Sequence, residues 1–179
     1  MHKKQKAGLT MRILIDSSTL IALAKIGELG ILKRIFGNIH ITTKIKDEIL
    51  KGNNPEEEII KEALDTWIQV LDFKGEPVEL RKYGLDLGEA SLFLVADSND
   101  RLILDESNAR RFAESKGLRY TGLIGLLVAS VKTKKIPNER AIEILNKLTK
   151  GDFRISSDLY VWARAEITKC GGNLRVAGD

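Results

Sequence analysis

Two acids, Asp16 and Asp105, each stand directly after a short apolar run, Arg12-Ile-Leu-Ile-Asp16 and Arg101-Leu-Ile-Leu-Asp105. Such runs read as buried parallel strands. In an open parallel sheet, ligands bind in the crevice at the carboxyl ends of the strands, where the topology switches. If these two strands are neighbours, both carboxylates enter one crevice. Neither acid has a basic residue beside it in the sequence, and Asp105 is followed by another acid, Glu106. Carboxylates crowded together without a cation have raised pKa values, and a divalent metal removes that penalty. Oxygen donors unaccompanied by His or Cys suit Mg²⁺ or Mn²⁺ better than zinc. Glu48, in an amphipathic helix, and Glu89, in the first turn of an apolar one, are the other candidates. Taken singly, each of the four has a plain structural reading: an acid after a strand caps a helix, Glu48 lies on a wet face, and Glu89 complements a helix dipole.

The surrounding pattern alternates strands with helices. After the first strand, Ser17 and Ser18 are expected to cap a helix over Thr19 to Lys25, and a second helix runs from Glu28 to Phe36. A strand at Ile39 to Ile41 leads into the helix bearing Glu48. Pro55 with three following glutamates opens a fourth helix, and Trp67 to Leu71 is a third strand. Lys74 to Asp86 is the least regular stretch. Leu87 to Ala96 carries Glu89; the strand ending at Asp105 follows, then a helix over Ser107 to Lys116 and a strand at Leu118 to Tyr120. Three further helices close the domain. This order predicts a single three-layer α/β/α domain with a central parallel sheet over residues 11–168. A flexible basic arm is expected at residues 1–10 and a flexible tail at residues 169–179.

With 179 residues and 43% apolar content, the chain suits one well-filled domain. The single cysteine, Cys170, excludes an intrachain disulfide framework and a multi-thiolate zinc site, and fits a reducing, cytoplasmic setting. No apolar run approaches the roughly 20 residues that cross a bilayer, so no membrane association is expected. The formal charge of +4 leans towards anionic partners such as nucleic acid, although much of it sits in the N-terminal arm.

Other chemistries fit less well. A phosphotransferase of the haloacid-dehalogenase type needs a second acid two residues after its nucleophile, and Ser18 stands there. A dinucleotide-binding module needs a glycine-rich loop after the first strand, where the chain has Ser17-Ser-Thr-Leu20. Serine or cysteine hydrolase chemistry lacks a base, because His2 and His40 are the only histidines and neither has a suitable partner.

The run Ile13-Leu-Ile-Asp-Ser-Ser-Thr-Leu-Ile-Ala-Leu-Ala-Lys-Ile-Gly27 resembles the opening of PIN domains. Ile39 to Leu50 resembles their second strand and glutamate-bearing helix. Leu87-Gly-Glu-Ala looks like the helix that supplies a third acid, and Leu102-Ile-Leu-Asp-Glu-Ser-Asn-Ala-Arg-Arg111 looks like the fourth strand and its helix. Gly151-Asp-Phe-Arg-Ile-Ser-Ser157 resembles the ending of relatives of the VapC toxins. The likeness spans about Met11 to Ile167, with two departures: many PIN domains have aspartate at Glu89, and often Thr-x-Asp where Asp105-Glu-Ser107 stands.

The resemblance implies a divalent-metal-dependent endoribonuclease, the toxin of a toxin–antitoxin pair. The competing expectation is a PIN-like RNA- or protein-binding module with little turnover. Under the first, Asp16, Glu89 and Asp105 hold Mg²⁺ or Mn²⁺, and Glu48 orients or deprotonates the attacking water. Ser17 or Ser18 supports Asp16, and Glu106 competes with Asp105 as the fourth acid. Arg110, Arg111 and Lys116 follow that acid and are candidates for contact with the RNA backbone, with solvated helix charges as their plainer reading. The implied partners are RNA, a small antitoxin protein and a second copy of the chain in a homodimer.

Overall fold

Ile13, Leu14 and Ile15 are all buried and form strand β1 (Ile13–Ile15), the pattern of a strand covered on both faces. The structure, a computed structural model, describes residues 11–52 and 54–171. After β1 come helices α1 (Ser17–Lys25) and α2 (Gly30–Phe36), strand β2 (Ile39–Thr42), helices α3 (Thr43–Ile49) and α4 (Pro55–Leu64), and strand β3 (Ile68–Leu71). A 3-10 helix, Val78–Tyr83, precedes α5 (Leu87–Val95), β4 (Arg101–Ile103), α6 (Ser107–Ser115) and β5 (Arg119–Thr121). Helices α7 (Leu123–Lys132), α8 (Asn138–Lys150) and α9 (Ser157–Gly171) complete the domain.

The five strands form one sheet in the order β3-β2-β1-β4-β5, every neighbouring pair parallel. This is the central parallel sheet of the expected α/β/α domain. The two strands that lead to acids are its inner neighbours, in flush register: Ile13 faces Arg101, Leu14 faces Leu102 and Ile15 faces Ile103. From β1 the chain builds outward to β2 and β3, then crosses back to place β4 and β5 on the other side. The switch point therefore lies between the carboxyl ends of β1 and β4, where crevices form in such sheets. At the opposite end, Arg12 clamps the buried Asp100 through Nε and Nη2 at 3.0 and 2.6 Å, fixing the entry to both strands.

The interior is built from Leu and Ile of the sheet and its helices. Leu14, Ile15, Ile39, Ile41, Leu102, Ile103 and Leu104 are wholly inaccessible. Helix α1 packs against α3 and α4, while α7, α8 and α9 pack on one another. Among the described residues no helix is long and apolar enough to cross a membrane.

Several expected boundaries move. β1 ends with its apolar run at Ile15, whereas β4 ends at Ile103, one residue short of Leu104; the N–H groups of Asp16 and Leu104 still donate to the carbonyls of Ile103 and Thr121. Ser17 and Ser18 lie inside α1 rather than capping it; Asp16 is the cap, accepting from the Thr19 N–H. Part of the irregular Lys74 to Asp86 stretch is the 3-10 helix, ended by Gly84 in the left-handed region (φ 73). Helix α9 continues to Gly171, taking in residues 169–171 that were expected in the tail. The expected arm, residues 1–10, and the remainder of the tail lie outside the described residues.

Candidate active site

Asp16 owes its position to two roles at once. It follows the most buried strand, and its extended backbone (φ −76, ψ 164) starts α1, so its carboxylate turns back over the helix N-terminus. Oδ1 accepts the Thr19 N–H at 2.9 Å, and Oδ2 accepts the Ser18 hydroxyl at 3.1 Å. Oδ2 also accepts the Asp105 backbone N–H at 3.3 Å, a direct tie between the ends of the two central strands. The residue is only 2% exposed.

Asp105 sits across the switch point and is bridged to Asp16 by Thr19, whose N–H serves one acid while its hydroxyl donates to Asp105 Oδ2 at 3.0 Å. Asp105 Oδ1 accepts the Leu123 N–H at 3.1 Å, at the start of α7, and Arg110 Nη2 at 2.9 Å. The expectation that no cation neutralises this acid locally is therefore corrected. Arg110, five residues on in α6, returns to it and also donates from Nε to the Leu104 carbonyl at 2.8 Å. Gly122 makes this possible: a Cβ there would come within 2.7 Å of Asp105 Oδ1 and collide with the guanidinium.

Glu89 is held by a reciprocal capping box at the start of α5. Asp86 Oδ1 accepts the Glu89 N–H at 2.7 Å, and Glu89 Oε2 accepts the Asp86 N–H at 3.1 Å. Glu89 is buried, and its Oε1 has no hydrogen-bond partner. Gly84 and Asn108 set this turn, with Asn108 Nδ2 donating to the Gly84 carbonyl at 3.2 Å. Glu48, in the last turn of α3, accepts the Ser17 hydroxyl on Oε1 at 3.0 Å. Its other oxygen lies over Gly88, where a Cβ would stand 2.8 Å from Oε2. Ser18 thus supports Asp16, whereas Ser17 supports Glu48.

All four acids line one cleft of about 1040 Å³, together with Ser17, Ser18, Asp86, Glu106, Arg110 and residues 151–154. Glu106 reaches this cleft from the exposed start of α6. Arg111 and Lys116 are not among its walls: Arg111 Nη2 bonds Asn108 at 2.7 Å, and Lys116 Nζ lies 5.4 Å from the Phe112 ring centroid.

The electrostatics are those of carboxylates gathered at a dry surface. Burial pushes the Asp16 carboxyl up to about 6, against the Thr19 hydrogen bonds and with added repulsion from Asp105. Burial likewise pushes Glu89 up to about 7, helped by the charges of Asp86, Asp16 and Glu106. Glu48 is raised because neighbouring atoms displace part of its water, although the residue as a whole is exposed; the Ser17 hydrogen bond opposes that shift. Asp105 is raised by burial, with the Leu123 N–H, Thr19 and Arg110 opposing.

Among the described residues, no three acidic, His or Cys side chains as they lie stand ready to hold one ion. Protein donors occupy both oxygens of Asp16 and of Asp105. The donor chemistry nevertheless fits a hard divalent cation. The described walls of the cleft carry no His or Cys, one buried Glu89 oxygen is unpartnered, and two carboxyls are pushed towards the protonated form.

Sequence reasoning missed Thr19, Gly88, Gly122 and the pairing of Arg110. The pattern Asp16-Ser-Ser-Thr19 carries a signal for a capped helix, but nothing in it indicates that the threonine hydroxyl serves an acid 86 positions away.

A family model, DUF3368, described as a PIN domain, matches residues 12–169. Comparison with curated proteins and with solved structures gives no match.

Proposed function

We propose that this chain, which belongs to the PIN-domain family, is a divalent-metal-dependent endoribonuclease that hydrolyses RNA phosphodiester bonds. PIN domains are generally nucleases, and one observation carries the reading. Asp16, Glu48, Glu89 and Asp105, from four separate elements, line a single cleft at the switch point of the sheet.

Asp16, Asp105 and Glu89 are the residues that would hold Mg²⁺ or Mn²⁺, with the unpartnered Glu89 oxygen as a free donor. When bound, such an ion generates a nucleophile from water and offsets charge on the scissile phosphate. Ser18 and Thr19 fix the Asp16 rotamer, and Thr19, Leu123 and Arg110 fix that of Asp105. Glu48, oriented by Ser17, orients the attacking water or accepts its proton. Of the two adjacent acids, Asp105 is favoured over Glu106 as the fourth member, because it alone shares Thr19 with Asp16. Arg111 and Lys116, outside the cleft, are candidates only for the outer path of an RNA strand.

The toxin assignment, a small antitoxin partner, a homodimer and a cytoplasmic setting extend this proposal. They are supported by the resemblance of Gly151 to Ser157 to the ending of VapC relatives and by the use of a single cysteine. A second reading, a PIN-like binding module with little turnover, draws on one observation: donors already occupy both Asp105 oxygens. Incubating a panel of defined single-stranded RNAs with the purified chain in EDTA, Mg²⁺ or Mn²⁺ separates the two. Cleavage that appears with metal and stops with EDTA supports the nuclease. Metal binding with intact RNA throughout supports the binding module.

A further inference from the structure

Among the described residues seven acids line the cleft, namely Asp16, Glu48, Asp86, Glu89, Asp105, Glu106 and Asp152. A polyanionic strand entering such a cleft meets repulsion that a bound cation offsets only near the scissile phosphate. The described walls contain three cationic side chains, Lys25, Arg110 and Arg154. Two are already committed. Lys25 Nζ pairs with Asp152 at 3.0 Å, and Arg110 Nη2 pairs with Asp105 at 2.9 Å. Among the described residues no acid pairs with Arg154.

Arg154 is also held in place from both sides. Its neighbours Phe153 and Ile155 are partly buried against the hydrophobic core, while Arg154 itself is exposed. Upstream, the Lys25–Asp152 pair ties the segment to α1. Downstream, Ser156 accepts the Leu159 N–H on its hydroxyl at 3.2 Å and starts α9. The chain is thus anchored at residues 152, 153, 155 and 156, with one uncommitted guanidinium between them on the wall of the acid-lined cleft. A planar guanidinium suits phosphate oxygens, which it can meet in bidentate fashion.

We infer that Arg154 is a substrate-positioning residue, contacting a backbone phosphate of the RNA strand beside the one that is cleaved. This rests on the ribonuclease reading above, and it transfers the principal RNA contact from Arg110, Arg111 and Lys116 to the loop between α8 and α9.

The test compares Arg154→Ala, Arg154→Lys and Arg101→Ala, the last removing an exposed charge at the amino end of β4, away from the cleft. Binding of a fluorescein-labelled single-stranded RNA is followed by anisotropy in EDTA across a salt series, and cleavage kinetics are measured in Mn²⁺. Arg154→Ala is expected to weaken binding about tenfold and to reduce the slope of log K against log salt by roughly 0.7, the contribution of one phosphate contact on a single strand. KM rises with little change in kcat, while Mn²⁺ affinity and melting temperature hold; Arg154→Lys keeps the charge and so the salt slope, with an affinity between those of the parent and Arg154→Ala. The inference is overturned if Arg154→Ala binds RNA like the parent, or if Arg101→Ala weakens binding equally, since the effect is then bulk charge. A parent chain that binds RNA but cleaves none in Mn²⁺ removes the nuclease reading alone, and the binding comparison still decides the role of Arg154.

Discussion

Replacing Asp16 by Asn gives the metal-free protein a pH dependence whose size follows from burial. The Asp16 carboxyl is raised from 3.8 to about 6 in the folded state. With a folded pKa above the unfolded one, the folded state binds the proton more tightly, so this group's contribution to stability is greatest below about pH 3.8 and is lost as pH rises through about 6. One pKa unit corresponds to about 1.4 kcal/mol, so this acid destabilises the metal-free protein by about 3 kcal/mol at pH 8, of which about 2 kcal/mol develops above pH 4.5. Asn cannot ionise and lacks that slope. It brings a constant cost of its own, because its NH₂ or the Asp105 N–H loses an acceptor at the position of Oδ2. Urea denaturation of parent and Asp16→Asn in EDTA, from pH 4.5 to 8, reads the difference directly. The variant gains about 2 kcal/mol on the parent across that range. Parallel curves would refute the placement of Asp16 as a desolvated, ionisable member of the cluster. Saturating Mg²⁺ adds a second check: it raises the parent's melting temperature more at pH 8 than at pH 5, and that pH-dependent gain disappears in Asp16→Asn.

Further substitutions probe the rest of the site. Gly88→Ala adds a methyl 2.8 Å from Glu48 Oε2 and 3.1 Å from Cγ1 of the buried Ile45, a crowding that offsets a helix-propensity gain of up to about 1 kcal/mol; melting temperature is expected to hold while metal-dependent cleavage falls about tenfold or more. Unchanged cleavage would remove Glu48 from the site. Gly122→Ala forces Asp105 and Arg110 apart, and calorimetry should show weaker Mn²⁺ binding together with a stability loss of roughly 1–3 kcal/mol. Asp105→Asn is expected to abolish Mn²⁺ binding and Glu106→Gln to leave it nearly intact; the reverse order in a titration would make Glu106 the fourth acid. Leu102→Ala, in the inaccessible centre of the sheet, should cost about 2–5 kcal/mol in denaturant unfolding without altering metal affinity in the folded fraction.

What the sequence made legible depended on whether a residue's role is written in its neighbours. Asp16 and Asp105 end runs of buried Ile and Leu, and strand patterning alone brings them to the carboxyl edge of a sheet. Their adjacency follows from the β1–β4 pairing, which the alternation of elements suggests but local sequence does not dictate. Glu48 gave no signal of its own, because an acid on the wet face of an amphipathic helix looks the same whether or not Ser17 reaches it; only family resemblance drew it out. Glu89 read as a first-turn helix acid and is one, yet its buried free oxygen arises from packing of α5 that no local pattern encodes. Arg110 looked like a solvated helix charge and instead turns inward, because Gly122 leaves it room. Ser17 and Ser18 looked like caps because serine favours that position, but the acid before them takes it and the serines serve two different carboxylates.

The central claim is that Asp16 belongs to a metal-dependent catalytic cluster, and one gel tests it most directly. The purified parent and Asp16→Asn, matched for circular dichroism, are incubated with the same end-labelled single-stranded RNA in Mn²⁺. The account predicts discrete cleavage products with the parent and none with the variant. Equal cleavage by both would contradict it.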